Sequence, residues 1–368
     1  MKYNLIKMED ALEALIDYRG KTPTKSDSGI DTLSAKSVKD GYIDYSLCYQ
    51  ISAEEYKKFM VRGFPQIGDI LLTTEAPLGL VARLDRNDVA IAQRLITLRG
   101  KKGVLDNDYL MYYLQSPKGQ AALTARATGT TVTGIKQAEF RKIELELPDY
   151  DYQVKVSGII RAIDEKIALN KKINNNLLEQ AQALYTSMFI SNADPTWRQG
   201  HLSDLITVRY GKDHKKLTDG AYPVYGSGGI MRYAERPLYE RESVLIPRKG
   251  TLNNVMYVNE PFWSVDTMFY TEMRMPNVAK YVYHFVKSKD LASLNAGSAV
   301  PSMTTDILNA MELLIPSESA LAKFENIVAP MYKAMKDNDS QVAQLVKLRD
   351  TLLPKLMSGE VDVSATEI

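Results

Sequence analysis

Apolar residues in two long stretches of the chain recur at intervals of three and four, the spacing that places them on one face of an α-helix. In 149–190 the pattern starts at Ile160, continues through Ile163, and becomes polar in the middle of the stretch. The stretch 317–360 repeats the pattern, with Val328 standing 168 positions after Ile160. The sequence therefore predicts two long helices, each with the heptad seam of a coiled coil.

The repeat also covers the residues in front of each helix, where short apolar runs alternate with polar loops. The run 69–74 is bounded by Gly, Pro and charged residues, which is typical of a buried strand. The segment 68–72 resembles 242–246, and 107–113 resembles 278–284. The sequence predicts a globular domain, a central helix, a second globular domain and a C-terminal helix, over residues 1–148, 149–192, 200–316 and 317–360.

Chain connectivity fixes the direction of the two helices. The first helix starts at the first domain and ends at the second, where the other helix starts, so packed helices must run antiparallel. Asn170 and Asn338 lie near the middle of their helices, and we expect them to form a buried pair that sets the register, with solvated surface residues as the alternative. The expected fold class is α+β, with two similar globular α/β domains separated by two long antiparallel coiled-coil helices in a pseudo-twofold internal repeat.

The composition is that of a globular protein and bears on location more than on function. No apolar run reaches the roughly 18 residues of a membrane span, and the first residues include acids where a signal peptide is apolar. The single cysteine, Cys48, excludes an internal disulfide and fits a reducing compartment. We therefore expect a cytoplasmic protein with no membrane partner. The net charge of +1 means that nucleic-acid binding would need local basic clusters or a partner.

Sequence signatures of catalysis are scarce. The three histidines have no metal-ligand spacing, and the glycine run 225–230 is followed by Met231 where a dinucleotide-binding loop has its third glycine. Pro148-Asp149 followed by Asp164-Glu165-Lys166 has the residue types of a nuclease motif. These acids fall on the predicted helix, whereas a nuclease needs carboxylates that converge on a metal. The sequence predicts no catalytic residue, no metal ligand and no cofactor-binding loop.

Polar loops with basic and aromatic residues recur in both predicted domains. Arg and Lys suit phosphate or guanine, Asn suits adenine, and Ser and Thr suit phosphate. One such loop alone is typical of an ordinary solvated turn, but the recurrence in two related domains favours a shared DNA-binding role. The candidates are Arg19, Lys21, Thr74, Arg94, Thr130, Thr131, Lys136, Lys212, Tyr225, Ser227, Arg248, Lys249, Asn253, Asn254, Trp263, Ser298 and Ser302.

Several of these segments resemble the specificity subunits of type I restriction-modification systems. No single segment is diagnostic, but the set is specific and, with the duplicated plan, covers nearly the whole chain. The segments that carry the resemblance are 225–230, 244–250, 261–267 and 297–304, together with 163–167 and 174–185 on the first helix.

The resemblance implies a non-catalytic subunit with two target-recognition domains, each of which reads one half of a split site in double-stranded DNA. The helices would set the gap between the half-sites and dock two methyltransferase (modification) subunits and a restriction or translocase subunit. S-adenosylmethionine, ATP and Mg²⁺ would be bound by those partners, with no cofactor on this chain. The alternatives are a coiled-coil scaffold that binds only proteins and, further removed, a stand-alone nuclease or methyltransferase.

The two domains differ where they would be expected to read DNA. Thr74-Glu75-Ala76-Pro77 stands where the second domain has Arg248-Lys249-Gly250-Thr251, so we expect unlike half-sites and an asymmetric target. Arg349 departs from the apolar seam of the second helix, and we interpret it as a residue that faces a partner subunit.

Overall fold

The computed structural model describes residues 3–129, 132–294 and 302–363, which form two compact units. Unit 1 contains the described residues up to Asn170 and those from Ser340 onward, and unit 2 is Lys171–Asp339. Each predicted globular domain lies in one unit, and each long helix contributes one part to each unit. Within the described ranges, no helix is long and apolar enough to cross a membrane.

Unit 1 consists of short strands, short helices and parts of the two long helices. Its strands are β1 (Asn4–Lys7), β2 (Leu12–Asp17), β3 (Ile30–Leu33), β4 (Tyr49–Ile51), β5 (Ile70–Thr74), β6 (Leu78–Arg83), β7 (Ala90–Ile91), β8 (Leu95–Gly100) and β9 (Glu144–Leu147). Its helices are α1 (Met8–Ala11), α2 (Ala53–Phe59), α3 (Asn107–Gln115), α4 (Pro117–Ala125), α5 (Gln137–Arg141) and the start of α6 (Tyr150–Thr186), with a 3-10 turn at Tyr45–Leu47.

The strands of unit 1 form a four-stranded sheet in the order β2-β8-β5-β6, a three-stranded sheet in the order β4-β3-β7, and a β1-β9 pair. The four-stranded sheet is antiparallel, whereas β3 and β7 run parallel. β5 is buried along its whole length, and its side chains alternate between two cores. Ile70 and Leu72 pack in one core with Tyr109 of α3, and Leu71 packs in the other.

Unit 2 repeats the plan of unit 1. Its strands are β10 (Arg198–His201), β11 (Ile206–Tyr210), β12 (Asp219–Gly226), β13 (Gly229–Ala234), β14 (Ser243–Pro247), β15 (Met256–Val258), β16 (Trp263–Ser264), β17 (Met268–Met273) and β18 (Glu312–Ile315). Its helices are α7 (Leu202–Leu205), α8 (Ala279–Lys287), α9 (Thr305–Asn309) and the start of α10 (Glu318–Ser358), and a π-helical turn at Ser187–Ser191 follows α6.

The sheets of unit 2 match those of unit 1. Their orders are β11-β17-β14-β15, β13-β12-β16 and β10-β18, and β12 runs parallel to β16 as β3 does to β7. The predicted internal repeat is therefore a duplication of one fold. The helices α3 and α8 match with a shift of one residue from the sequence comparison. Tyr112 and His284 are equivalent, because they contact Asp164 and Tyr332, which are 168 positions apart on the long helices.

The long helices α6 and α10 bury the faces that the heptad pattern predicts. Ile160 and Ala181 of α6 and Val328 of α10 are fully buried, and each packs into the core of its own unit. Ser317 caps the N-terminus of α10, since its Oγ accepts a hydrogen bond from the Ala320 amide over 3.3 Å.

Contacts between α6 and α10 within unit 1 show that the helices run antiparallel there. Asp164 contacts Arg349 and Asn170 contacts Gln341, so the residue number on α10 falls as the number on α6 rises. Arg349 thus faces α6, which corrects its interpretation as a residue that faces a partner subunit. Its guanidinium departs from the apolar seam because a carboxylate lies opposite.

The asparagines at the polar centre of the two helices, Asn170 and Asn338, bind residues other than those expected. In unit 1 the Asn170 amide donates to Oε1 of Gln341 over 2.6 Å. In unit 2 the Asn338 amide donates to Oδ1 of Asn174 over 2.8 Å. The structure thus corrects the expected Asn170–Asn338 pair, because each asparagine binds a residue about one helical turn away from the other asparagine. Asn170 is fully buried, so its amide still favours one register of the helices.

Candidate nucleic-acid interface

Several candidate residues of unit 1 meet at the end of β5. The Thr74 amide donates to the Arg94 carbonyl over 3.0 Å, and the Ile135 amide donates to the Thr74 carbonyl over 2.9 Å. Arg19, just beyond β2, donates from Nη2 to the Ile135 carbonyl over 2.8 Å. Because β2, β8 and β5 are neighbours in one antiparallel sheet, the loops after β2 and β5 and before β8 form one surface.

Arg94 is exposed and has an unusual backbone conformation. Its φ of 70° lies in the left-handed region that favours glycine. Its Nε is 2.9 Å from Oε1 of Glu75, and the two side chains are 52% and 33% exposed. An ion pair this exposed contributes only about 0–1 kcal/mol to stability. This ion pair therefore does not account for the strained backbone at Arg94.

The other candidates of unit 1 divide into exposed and buried side chains. Lys21 and Lys136 are exposed at the edges of the same surface. Thr74 is 2% exposed, so its backbone, rather than its hydroxyl, shapes the strand end. Thr130 and Thr131 lie outside the described residues.

Unit 2 has the same backbone arrangement at the end of β14. The Arg248 amide donates to the Thr267 carbonyl, and the Met303 amide donates to the Arg248 carbonyl, each over 2.9 Å. These are the two backbone contacts that Thr74 makes in unit 1. Arg248 therefore occupies the place of Thr74 on an equivalent framework.

The residue that follows this strand end has opposite charges in the two units. Lys249 forms a β-bridge with Ser302 in unit 2, and Glu75 forms the matching bridge with Gly134 in unit 1. Lys249 is exposed, whereas Glu75 is paired with Arg94. Equivalent backbones thus present an acidic residue paired with an arginine in unit 1 and two adjacent basic residues, Arg248 and Lys249, in unit 2.

The guanidinium of Arg248 is held by two neighbours. Nη1 donates to the Asp266 carbonyl over 3.0 Å, and the guanidinium carbon lies 5.5 Å from the centre of the Tyr210 ring. Tyr210 is 53% exposed and packs its edge against Phe269, with the ring centroids 5.0 Å apart. Arg248 is therefore half-buried and oriented, which distinguishes it from a mobile surface arginine.

Trp263 supports the loop that carries Lys212. The indole is 7% exposed, and its Nε1 donates to the Lys212 carbonyl over 2.9 Å. Gly211 has to be glycine, because a Cβ there would lie 2.0 Å from the Val265 carbonyl oxygen. The backbone is thus fixed close to β16, while the Lys212 side chain is exposed.

Ser227 and Asn254 join two further loops of unit 2. The Asn254 amide donates to the Ser227 carbonyl over 2.8 Å. Gly250 has a φ of 85°, which favours glycine, and a Cβ there would lie 2.6 Å from Oγ of Ser227, so the two residues are in close contact. The loops after β12 and β14 therefore meet beside Arg248 and Lys249.

Two more candidates of unit 2 have structural partners. Tyr225 is 9% exposed, and burial raises the pKa of its hydroxyl, which lies 3.4 Å from Glu260. The Asn253 amide donates to Asp290 over 2.9 Å, and this hydrogen bond lowers the pKa of the Asp290 carboxyl. Both side chains therefore help to hold these loops in place.

Two exposed residues of this surface are absent from the sequence candidates. Lys215 and Lys216 follow Lys212 in the same loop, and all three are exposed. The run Asp213-His214-Lys215-Lys216 is the signal that could have identified them, but the charge of the whole segment is nearly balanced and hides it. Ser302 is half-buried, and Ser298 lies outside the described residues.

The chain thus has two units of one fold, whose strand-end surfaces are related in backbone but unlike in side chains. Within the described residues, no cluster of three or more His, Cys, Asp or Glu side chains could hold a metal ion. Residues 16–179 and 195–324 match the family described as the type I restriction modification DNA specificity domain. The chain belongs to this family, whose members are non-catalytic DNA-recognition subunits of type I restriction-modification systems.

Individual relatives agree with the family. The chain is 25% identical over 358 residues to the type I restriction enzyme MjaIX specificity subunit of Methanocaldococcus jannaschii. The alignment covers 85% of this chain and 82% of that protein. It is 29% identical over 405 residues to the HindI specificity subunit of Haemophilus influenzae, covering 80% of this chain and 86% of that protein. The fold is similar to the crystal structure of a type I S subunit from M. genitalium, with a TM-score of 0.67, 17% identity, and coverage of 97% and 96% of the two chains.

Proposed function

We propose that this specificity subunit recognises a bipartite, asymmetric site in double-stranded DNA, with one half-site read by each unit. The observation that carries the proposal is the strand end shared by both units, where matched backbone contacts present Glu75 with Arg94 in one unit and Arg248 with Lys249 in the other. Carboxylates accept hydrogen bonds from base edges and arginines donate them, so the two surfaces present different sets of donors and acceptors to DNA.

The exposed lysines of both surfaces supply the contacts that do not depend on sequence. Lys21 and Lys136 in unit 1, and Lys212 and Lys249 in unit 2, surround the oriented arginines. Lysine is a flexible point charge that suits phosphate, whereas an oriented arginine suits the fixed pattern of a base edge. Phosphate contacts would place each unit on the duplex, and the arginines would then read it.

The partners in this proposal are methyltransferase subunits and a restriction or translocase subunit. Because the chain contains its fold twice, it offers two equivalent surfaces, which supports docking of two methyltransferase subunits. S-adenosylmethionine, ATP and Mg²⁺ would be bound by those subunits, and this chain would supply the sequence specificity. The long helices would set the separation of the half-sites.

Exchange of residues 200–316 with those of a relative tests the proposal. The hybrid and parent chains are each expressed with their methyltransferase partner, and methylated sites are mapped across the genome. We expect a bipartite motif in which the exchange changes one half and leaves the other intact. A change in both halves or in neither would contradict the assignment of one half-site to each unit. Protection of no discrete sequence would indicate a protein scaffold, and methylation or cleavage by the purified chain alone would indicate an enzyme.

A further inference from the structure

Arg94 in unit 1 and Arg248 in unit 2 each lie at the shared strand end, with one side of the guanidinium held and other donors available. Arg19 of unit 1 also reaches this strand end, where its Nη2 is held by the Ile135 carbonyl. In unit 1 Nε of Arg94 is occupied by Glu75 at 2.9 Å, and both terminal nitrogens lack a hydrogen bond within the described part of the chain. In unit 2 Nη1 of Arg248 is occupied by the Asp266 carbonyl at 3.0 Å. The Nε and Nη2 edge of Arg248 likewise makes no hydrogen bond to any described residue.

The available edges have the geometry of a two-pronged donor. In the major groove guanine presents the acceptors N7 and O6 side by side, and a guanidinium binds both at once. Orientation before binding matters because less side-chain freedom is then lost for each hydrogen bond that forms. The Glu75 carboxylate, the Asp266 carbonyl and the Tyr210 ring supply that orientation.

Glu75 adds an acceptor to the surface of unit 1. Next to the guanine acceptors, the paired cytosine presents the N4 amino group as a donor, and a carboxylate accepts from it. Arg94 and Glu75 together therefore match both bases of one G·C pair. Unit 2 has Lys249 at the position of Glu75, so its surface matches guanine without the acceptor for cytosine.

We infer that each unit reads a guanine through one arginine, Arg94 in unit 1 and Arg248 in unit 2, and that Glu75 extends the first contact to the paired cytosine. The inference rests on the proposed function and names the base that each surface takes. It makes Arg94 and Arg248 specificity-determining residues, and it gives the lysines beside them contacts that do not discriminate between bases.

The test replaces each arginine with lysine in the complete complex with the methyltransferase partner. Methylation rates are measured on plasmid libraries in which every position of the recognised motif is varied. Lysine keeps the charge and removes the two-pronged donor, so R94K is expected to lower the preference for guanine about 5- to 150-fold at one position of one half-site. R248K should do the same in the other half-site. E75Q should weaken the same base pair as R94K.

Lys249→Ala is the matched control, because it removes a positive charge beside Arg248 and should lower methylation of all sequences without changing the preferred base. A modified DNA provides a second measurement that leaves the protein unchanged. Replacing the guanine by 7-deazaguanine removes N7, so it should weaken binding of the parent complex and have little effect on a variant that already lacks the arginine.

Several outcomes would overturn the inference. One is an R94K or R248K complex with unchanged base preference, even if total methylation falls, because the arginine would then contact phosphate. Another is a parent complex that binds equally well with 7-deazaguanine at every guanine of both half-sites. Weakening of a different base pair by E75Q would remove the role of Glu75. The proposed function fails separately, if the parent complex recognises no bipartite motif.

Discussion

Arg349 of α10 donates a hydrogen bond from Nη1 to Oδ1 of Asp164 of α6 over 3.1 Å. The other carboxylate oxygen of Asp164 accepts a hydrogen bond from the hydroxyl of Tyr112 over 3.0 Å. Burial, together with the negative charge of Asp164, raises the pKa of Tyr112, so the phenol stays protonated and donates. Asp164 thus joins α3, α6 and α10 within unit 1, and the acid that resembles part of a nuclease motif has a structural role.

We expect Asp164→Ala to lower the free energy of unfolding by about 1–3 kcal/mol, because it leaves the buried Tyr112 hydroxyl without an acceptor. The ion pair with Arg349 contributes less, since the two side chains are 33% and 32% exposed. Asp164→Asn is the matched control: it keeps an oxygen for Tyr112 and should retain most of the stability. Urea denaturation compares the three chains. Equal losses in both variants would show that charge, rather than the Tyr112 hydrogen bond, matters at Asp164.

The equivalent helices α3 and α8 carry opposite charges at one buried position. Asp108 of α3 lies 2.8 Å from Arg161 of α6, whereas Lys280 of α8 lies 2.5 Å from Glu325 of α10. Asp108 and Lys280 are 7% and 3% exposed. Each short helix therefore packs on a long helix whose contacting residue has the opposite charge. Exchanging α3 and α8 would place Asp108 beside Glu325 and Lys280 beside Arg161, which are pairs of like charge.

Glu325→Gln is expected to lower the free energy of unfolding by about 3 kcal/mol, because it leaves the Lys280 ammonium buried without a counter-ion. The rings of Tyr257 and Tyr332, at 5.0 and 5.6 Å, would still attract the charge, but neither is a counter-ion. Lys280→Met combined with Glu325→Leu should recover most of the loss, since an apolar pair needs no counter-ion. Thermal and urea denaturation measure both. A double variant no more stable than Glu325→Gln would mean that the charge is not the cause.

His284 of α8 is a buried, neutral link between the long helices in unit 2. Its Nδ1 lies 2.8 Å from Oε1 of Gln182 and its Nε2 lies 3.0 Å from the Tyr332 hydroxyl. Because the glutamine oxygen can only accept, Nδ1 carries the proton and Nε2 accepts from the tyrosine. Burial lowers the pKa of His284 to about 4.

This pKa predicts that unit 2 loses stability in mild acid. The unfolded histidine has a pKa near 6.5, so between about pH 6.5 and 4 the unfolded chain binds a proton that the folded chain does not. The contribution is complete above pH 6.5 and falls as the pH drops, by about 3 kcal/mol at pH 4. His284→Gln should flatten the pH dependence of the urea midpoint, and the exposed His201→Gln should leave it unchanged. A parallel shift of both curves would contradict the role of His284.

The helices and the duplication could be predicted because their patterns are long and periodic. Each seam spans many turns, so single departures such as Arg349 do not hide it. The partner of Asn170 could not be predicted, because Asn338 and Gln341 lie about one helical turn apart and the sequence holds no signal that chooses between them. That choice depends on packing within each unit.

The sequence indicated which loops carry the candidate residues, but not how each side chain is held. Residue types predict which loops suit DNA, and Arg94 and Arg248 do lie at the strand end that both units share. Their positions there differ, because Arg248 takes the place of Thr74 and Thr267 takes the place of Arg94. Trp263 has an apolar ring and a polar edge, which suit either stacking on a ligand or support of a loop. Its burial against the Lys212 loop could not be predicted, because the strand β16 that carries Trp263 is too short to show a periodic pattern.

The exposed lysines of the β11–β12 loop lead to a prediction about salt. Lys212, Lys215 and Lys216 are flexible charges, so we expect them to contact phosphates and release counter-ions on binding. For the complex with its methyltransferase partner, the logarithm of the binding constant is plotted against the logarithm of salt concentration. Replacing all three lysines with glutamine should reduce the slope by about 0.9 for each phosphate that is no longer neutralised. Lys171→Gln with Lys172→Gln, exposed on α6, is the control and should leave the slope unchanged. The methylated motif should stay the same in the triple variant, because phosphates carry no sequence information. A changed motif would instead make one of these lysines a reader of bases.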